Sequence, residues 1–109
     1  MYTEVATKQV VVSGSGNDQF SQAVSMAGAN AVFVEITCFA KGGGNVDVQL
    51  QVGNDLQNWE NQGTAIACTS AGYFSGQVTA IAAQYVRLRY TQSTSGTGIV
   101  AAGINTASL

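Results

Sequence analysis

The sequence has no histidine and no proline, and only 9% of its residues are charged. Without imidazole the chain lacks the commonest general base and the commonest metal ligand, so a Ser-His-Asp triad is excluded. The two cysteines, Cys38 and Cys68, do not have the CxxC spacing of zinc or redox sites. Neither Asn17-Asp18 nor Asn54-Asp55 has the alternating acidic spacing of a calcium loop. We therefore expect no enzymatic activity, no bound metal and no cofactor.

The scarcity of charge also argues against two classes of partner. The chain has four basic and six acidic residues, a net charge of −2, and its basic residues form no run. A surface that follows phosphates along a nucleic acid is therefore not expected. No apolar segment approaches the roughly 18 residues of a membrane span, so we predict no membrane partner. The segment MYTEVATKQVVV lacks the features of a signal peptide, which predicts synthesis in the cytoplasm.

The fold is indicated most clearly by residues 45–60, NVDVQLQVGNDLQNWE. Val46, Val48, Leu50 and Val52 alternate with polar residues, the period-2 pattern of a strand with one face on a core and one face in water. The pattern stops at Gly53-Asn54-Asp55, which are turn residues, shortly before Trp59, the only tryptophan. We predict a strand, a structural loop that contains Asn54 and Asp55, and an aromatic anchor.

Similar patterns recur along the whole chain and are separated by glycine-, serine- and asparagine-rich turns. A length of 109 residues fits one domain, which we assign to residues 1–109. Strands spaced about 8 to 12 residues apart predict an all-β domain, an antiparallel, jelly-roll-like β-sandwich of about eight strands with no substantial helix. The segments are 4–13, 19–26, 31–40, 46–52, 64–70, 73–80, 84–92 and 97–107. We expect 31–40 to be central and 19–26 to pair antiparallel with the first strand, with helix as the alternative for 19–26.

Two sets of residues in these strands have possible roles. Cys38 and Cys68 fall at inward positions, which favours two buried thiols over a disulfide. Tyr85, Arg87 and Arg89 fall at outward positions of 84–92. Two guanidinium groups beside an aromatic ring would bind a carboxylate of a partner or stack on a ring. The alternative, which we favour, is an exposed face in which the arginines pair across strands with Asp47 or Glu35.

Two stretches carry a resemblance to known families: VDVQLQVGNDLQNWENQG and AQYVRLRYTQ. Together they resemble discoidin-like, or galactose-binding-like, jelly-roll sandwiches over roughly residues 46–104. They also resemble small β-sandwich proteins of bacteriophage particles, including capsid decoration proteins. The loops here are short, so the resemblance to discoidin modules transfers no ligand-binding residue, and Asn54, Asp55 and Trp59 match a structural part of the pattern.

The composition of the outward positions favours assembly. Exposed sheet edges are usually guarded by lysine, proline or inward charges, and this chain has no proline and two lysines. Its outward positions are mostly Gln, Thr, Ser, Asn and Ala, which can be buried at modest cost when their hydrogen bonds are met. We therefore expect unguarded edges and a homo-oligomer.

The preferred hypothesis is a structural virion protein: a capsid decoration or minor capsid protein that stabilises a phage-like shell, located in the virion and bound to the major capsid protein or another particle protein. The alternative is a carbohydrate-binding, discoidin-like module that binds a saccharide. It would use Trp59, or Tyr73 and Tyr85, as stacking platforms, with Asn and Gln side chains as hydroxyl partners. Candidate contact residues for a partner or ligand are Trp59, Tyr85, Arg87 and Arg89.

Overall fold

The computed structural model describes residues 1–13, 19–93 and 96–109, and these form ten β-strands. Among the described residues no helix is long and apolar enough to cross a bilayer. The strands are β1 Tyr2–Val12, β2 Gln19–Phe20, β3 Val24–Ser25, β4 Ala31–Ala40, β5 Val46–Gly53, β6 Glu60–Asn61, β7 Ile66–Cys68, β8 Gly72–Val78, β9 Tyr85–Gln92 and β10 Thr97–Ala107.

The strands form two antiparallel sheets that pack face to face. The four-stranded sheet has the order β1-β10-β4-β8. In the six-stranded sheet β9 and β5 are central, β2 and β3 pair with the free side of β9, and β6 and β7 pair with the free side of β5. The predicted all-β antiparallel sandwich is confirmed, and the strand number exceeds eight because four strands have only two or three residues.

The core lies between the two sheets and follows the alternation of the sequence. The inward side chains of β9, Val86, Leu88 and Tyr90, are fully buried, and those of β4 and β5 pack against them. Strand β4 lies between β10 and β8, as expected for a central strand. Because neighbouring residues of a strand point to opposite faces, the same alternation places Tyr85, Arg87 and Arg89 on the outer face of the six-stranded sheet.

The chain between β1 and β4 differs from the prediction. A hairpin of 4–13 with 19–26 is wrong: β2 and β3 pair with β9, and the helical alternative is wrong as well. The Gln19 side chain nevertheless binds β1, since its Nε2 donates to the Val10 carbonyl at 2.7 Å and its Oε1 accepts from the Val12 amide at 2.9 Å. The chain thus crosses from one sheet to the other here. The Asn17-Asp18 pair lies outside the described residues.

Cys38 and Cys68 are free and buried, as the inward positions predicted. Cys38 lies on β4 of the four-stranded sheet and Cys68 on β7 of the six-stranded sheet, so the two thiols meet across the core. Burial first, and then the nearby Cys38 and Asp47, raise the pKa of the Cys68 thiol to about 12. Both groups are therefore unreactive thiols at neutral pH.

The sheet edges are better guarded than the composition suggested. β1 carries Glu4 and Lys8, and its register with β10 is interrupted twice. β2 and β3 at one edge of the six-stranded sheet, and β6 and β7 at the other, are very short. Charge, irregular register and short strands all discourage edge-to-edge pairing. The expectation of unguarded edges fits only β8, which is seven residues long and uncharged.

Candidate functional site

The outer face of the six-stranded sheet brings most of the candidate contact residues together. The register of β5 with β9 places Gln51 opposite Arg87 and Gln49 opposite Arg89. The predicted pairing with Glu35 is wrong, and neither arginine lies directly opposite Asp47. Asp47 lies opposite Thr91, and Glu35 belongs to the other sheet.

At the centre of this face a guanidinium group lies over two aromatic rings. The Cζ atom of Arg87 lies 3.9 Å from the ring centroid of Phe20 and 4.4 Å from that of Trp59. We call these three residues the arginine stack. Such contacts are favourable because the face of an aromatic ring is electron-rich, and they strengthen when the cation is partly desolvated.

A row of amide side chains fixes the arginine stack from the β5 side. The Arg87 Nε–H donates to Gln51 Oε1 at 2.8 Å, and Gln51 Nε2 donates to Asn61 Oδ1 at 3.0 Å. Gln51 points outward and is nevertheless only 8% exposed. Gln49 Nε2 donates to the carbonyls of Gln62 and Gly63, which ties the segment after β6 to the sheet. The site is therefore held by hydrogen bonds before any ligand arrives.

Trp59 reaches this face because the loop after β5 folds back over the sheet. A Cβ atom on Gly53 would lie 3.3 Å from Cε3 of Trp59 and would collide with the carbonyl oxygen of Asn58. Glycine at this position lets the indole lie directly on the strand. The close approach of loop and sheet thus depends on one residue without a side chain.

Asn54 and Asp55 shape that loop. Asn54 Oδ1 accepts a hydrogen bond from the Gln84 amide at 2.9 Å, which joins the loop to the segment before β9. Asp55 Oδ1 accepts from the amides of Asn58 at 2.8 Å and Gln57 at 3.0 Å, and Asp55 Oδ2 accepts from Asn58 Nδ2 at 2.6 Å. These bonds, those to the backbone amides first, lower the pKa of Asp55 to about 2. The carboxylate thus organises its own loop and is not free for a metal.

A groove of about 680 Å³ lies beside Trp59 at the end of the sandwich. One wall is the loop after β5, and the other is formed by Ala80, Ala82 and Ala83 before β9. Leu56 (φ 64°) and Ala80 (φ 58°), one on each side, have the left-handed backbone conformation that non-glycine residues seldom adopt. We call this space the end groove. It combines an indole, small apolar side chains and the polar side chains of Asn58, Glu60 and Gln62.

The two candidate tyrosines lie in different parts of the molecule. Tyr85 is half-buried on the outer face of the six-stranded sheet, opposite Gly53. Tyr73 is on β8 of the four-stranded sheet, where its hydroxyl donates to Glu35 Oε1 at 3.0 Å. A stacking platform built from Tyr73 and Tyr85 together is therefore excluded by the fold.

Three residues of this face were not identified from the sequence: Phe20, Gln51 and Asn61. Phe20 lies in a two-residue strand whose pairing with β9 is not encoded in any local pattern. Gln51 was identified as outward-facing, but its contact with Arg87 depends on the register of β5 with β9. Only the long-range pairing of strands reveals this cluster.

A second space, of about 520 Å³, opens between the two sheets near β7 and β8. Its apolar lining includes Val48, Ile66, Val78 and Leu88, and it has neither an aromatic nor a charged side chain. Among residues 1–13, 19–93 and 96–109, no group of three or more carboxylate or thiol side chains is placed to hold a metal ion. Of these two spaces, the end groove beside the outer face of the six-stranded sheet therefore has the richer chemistry.

Comparison with known proteins places the fold. No family model matches the chain, and no curated protein matches it. Among solved structures, PirA superposes with a TM-score of 0.63 at 14% identity, covering 95% of this chain and 94% of that chain. CBM4 gives 0.54 at 9% identity, with 94% and 79% covered. The carbohydrate-binding module CBM36, in complex with calcium and xylotriose, gives 0.51 at 8% identity, with 98% and 99% covered. At these identities the likeness concerns the fold alone, which agrees with the expected β-sandwich.

Proposed function

We propose that this protein is a carbohydrate-binding module whose ligand lies across Trp59, between the arginine stack and the end groove. The observation that carries the proposal is the position of Trp59, which contacts Arg87 and also lines the end groove. An indole beside polar side chains suits a saccharide, because the C–H faces of a sugar pack on the ring while its hydroxyls bind polar groups.

The polar groups of the end groove can serve as those hydroxyl partners. Glu60 and Gln62 make no side-chain hydrogen bond or ion pair within the described parts of the chain. Asn61, at the edge of the amide row, has its Oδ1 bound by Gln51. Carboxylate and amide groups can orient a ligand with several hydroxyls, because they accept and donate hydrogen bonds.

The fold is compatible with this function. Two of the superposable structures are CBM4 and CBM36, and CBM36 was solved with xylotriose. The same comparisons give the hypothesis of a capsid decoration protein no support. Saccharide binding is therefore the better-supported of the two predictions, and virion assembly remains a prediction without a structural observation behind it.

The test is a glycan array followed by isothermal titration calorimetry with the best ligand. We expect Trp59→Ala to weaken binding roughly tenfold or more, equivalent to about 1.4 kcal/mol. The matched control is Phe39→Ala, which removes a half-exposed ring from the other sheet and should leave affinity unchanged.

Two outcomes would contradict the proposal. One is the absence of saccharide binding in the array. The other is an affinity that is equal in wild type and Trp59→Ala. Size-exclusion chromatography with light scattering, run on the same samples, addresses the particle hypothesis separately, since a large homo-oligomer without saccharide binding would favour that hypothesis instead.

A further inference from the structure

Among the residues that the structure describes, Arg87 is a partly desolvated cation without an ion pair to a carboxylate. Burial lowers the pKa of its guanidinium. Asp47 is on the same outer face, but it lies opposite Thr91. It is thus four residues along β5 from Gln51, a distance of roughly 13 Å. Cations removed from water are usually paired, so an unpaired one on a candidate binding face calls for an anionic ligand group.

The surroundings of Arg87 also define the direction from which such a group can approach. The guanidinium lies over two rings, those of Phe20 and Trp59, and its Nε is bound to Gln51. Within the described residues this is the hydrogen bond that Arg87 makes, which leaves the N–H groups of its two Nη atoms. These donors lie in the plane of the guanidinium. A planar carboxylate can accept two of them side by side.

Arg89 adds to the positive potential of this face. It lies two residues further along β9, points to the same side and pairs in register with Phe20. A negatively charged ligand would therefore be attracted to the same end of the arginine stack over about one Debye length, roughly 8 to 10 Å at moderate salt.

We propose that the ligand is an acidic saccharide and that the Nη groups of Arg87 bind the carboxylate of a uronic acid residue. The inference rests on the saccharide-binding function proposed above and specifies its substrate class. The adjoining sugar ring lies against Trp59 in the end groove. Phe20 and Gln51 act as positioning residues, because they hold the guanidinium plane and do not themselves need to contact the sugar.

The test compares uronic acid oligosaccharides with their own methyl esters. Galacturonate, glucuronate, mannuronate and guluronate oligomers are each titrated as free acid and as the neutral ester, which has the same sugar ring without the charge. We expect wild-type protein to bind at least one free acid ten times more tightly than its ester. A sulfated oligosaccharide of matched length is titrated as well, to show whether the protein prefers a carboxylate or a sulfate.

Two variants assign the preference to Arg87. Arg87→Lys keeps the charge and loses the planar fork, so it should lose most of the tenfold preference for the free acid. Arg87→Gln should lose all of it. Lys8→Gln removes one positive charge from the four-stranded sheet and should keep the preference intact. Thermal melts show whether Arg87→Gln is folded. If it is not, Arg87→Lys alone tests whether Arg87 causes the preference.

The possible results separate the two proposals. Equal affinity for acid and ester, with binding still dependent on Trp59, overturns the acidic ligand and leaves carbohydrate binding standing. A preference for the sulfated arm over every uronate overturns the carboxylate assignment. Absence of binding to every oligosaccharide, neutral or acidic, overturns both. A preference that Arg87→Lys retains in full also contradicts the role of the fork.

Discussion

The two outer faces of the sandwich both carry aromatic side chains, but they hold them differently. On the six-stranded sheet the Trp59 ring packs on Arg87 and Gly53, next to the buried amide of Gln51. On the four-stranded sheet Tyr2, Phe39 and Tyr73 are each more than half exposed, at 54%, 52% and 58%.

The difference arises from a loop. Trp59 is delivered by the segment between β5 and β6, which folds back over the sheet, whereas Tyr73 and Phe39 belong to the strands themselves. The charges differ as well. The six-stranded face carries Arg87 and Arg89 together with Asp47, while the four-stranded face presents Glu4 and Glu35, on either side of Gly103 in one row. A covering loop makes one face pre-organised, and its absence leaves the other open.

The difference between the two faces is tested most directly by substituting the glycine beneath an aromatic ring on each face. In Gly53→Ala the new methyl group meets the backbone carbonyl of Asn58 as well as Trp59. We expect a loss of about 1–3 kcal/mol in the free energy of unfolding, because backbone must move, together with at least tenfold weaker saccharide binding. Urea denaturation and calorimetric titration measure the two effects.

The matched substitution on the other face is Gly103→Ala. Its methyl group meets the ring of Tyr2, an exposed side chain that can swing away. We expect a loss of less than about 1 kcal/mol and unchanged binding. Equal losses in the two variants would show that the covering loop does not make the six-stranded face more rigid.

Lowering the pH should have an intermediate effect on the order of the loop after β5, through protonation of Asp55. Its pKa is about 2 in the folded protein, below the value of about 3.9 for an unfolded chain. The ionised carboxylate therefore helps to order the loop fully above about pH 4, and this contribution is lost as the pH falls towards 2. Trp59 is the only tryptophan, so its fluorescence reports on the loop directly.

We expect the wild-type fluorescence to change between about pH 4 and pH 2. Asp55→Asn should show the altered signal already at neutral pH, with no step in that range. A step of the same size in both proteins would mean that other carboxylates, and not Asp55, set the acid response of the loop.

The smallest effect is expected on the open face. Burial first, and then the hydrogen bond to Glu35, raise the pKa of Tyr73. Glu35→Gln should lower the pKa of Tyr73 towards its ordinary value, with Tm within about 1 °C of wild type and saccharide binding unchanged. Spectrophotometric titration, with Tyr73→Phe to identify the signal, checks the pKa. A marked loss of saccharide binding in Glu35→Gln would contradict our proposal, because it would indicate that the ligand binds on the four-stranded face.

The class of fold and the inward residues of the long strands could be predicted from the sequence alone. Val46 to Val52 and Val86 to Tyr90 alternate in the sequence, and the structure buries those that were predicted to face the core. This is possible because the direction of a side chain in a strand depends only on the parity of its position. The position of the loop after β5 was also indicated, since turn residues act locally.

Which strands are neighbours is known only from the tertiary structure, and the site depends on that pairing. Gln19 and Phe20 follow β1 closely in the sequence, yet their backbone pairs with β9, almost seventy residues later. Parity states which face a residue takes, but it does not state which sheet or which partner. The meeting of Phe20, Arg87 and Trp59 is therefore set by long-range register and by the close approach of a loop to Gly53, both of which arise from packing of the whole sandwich.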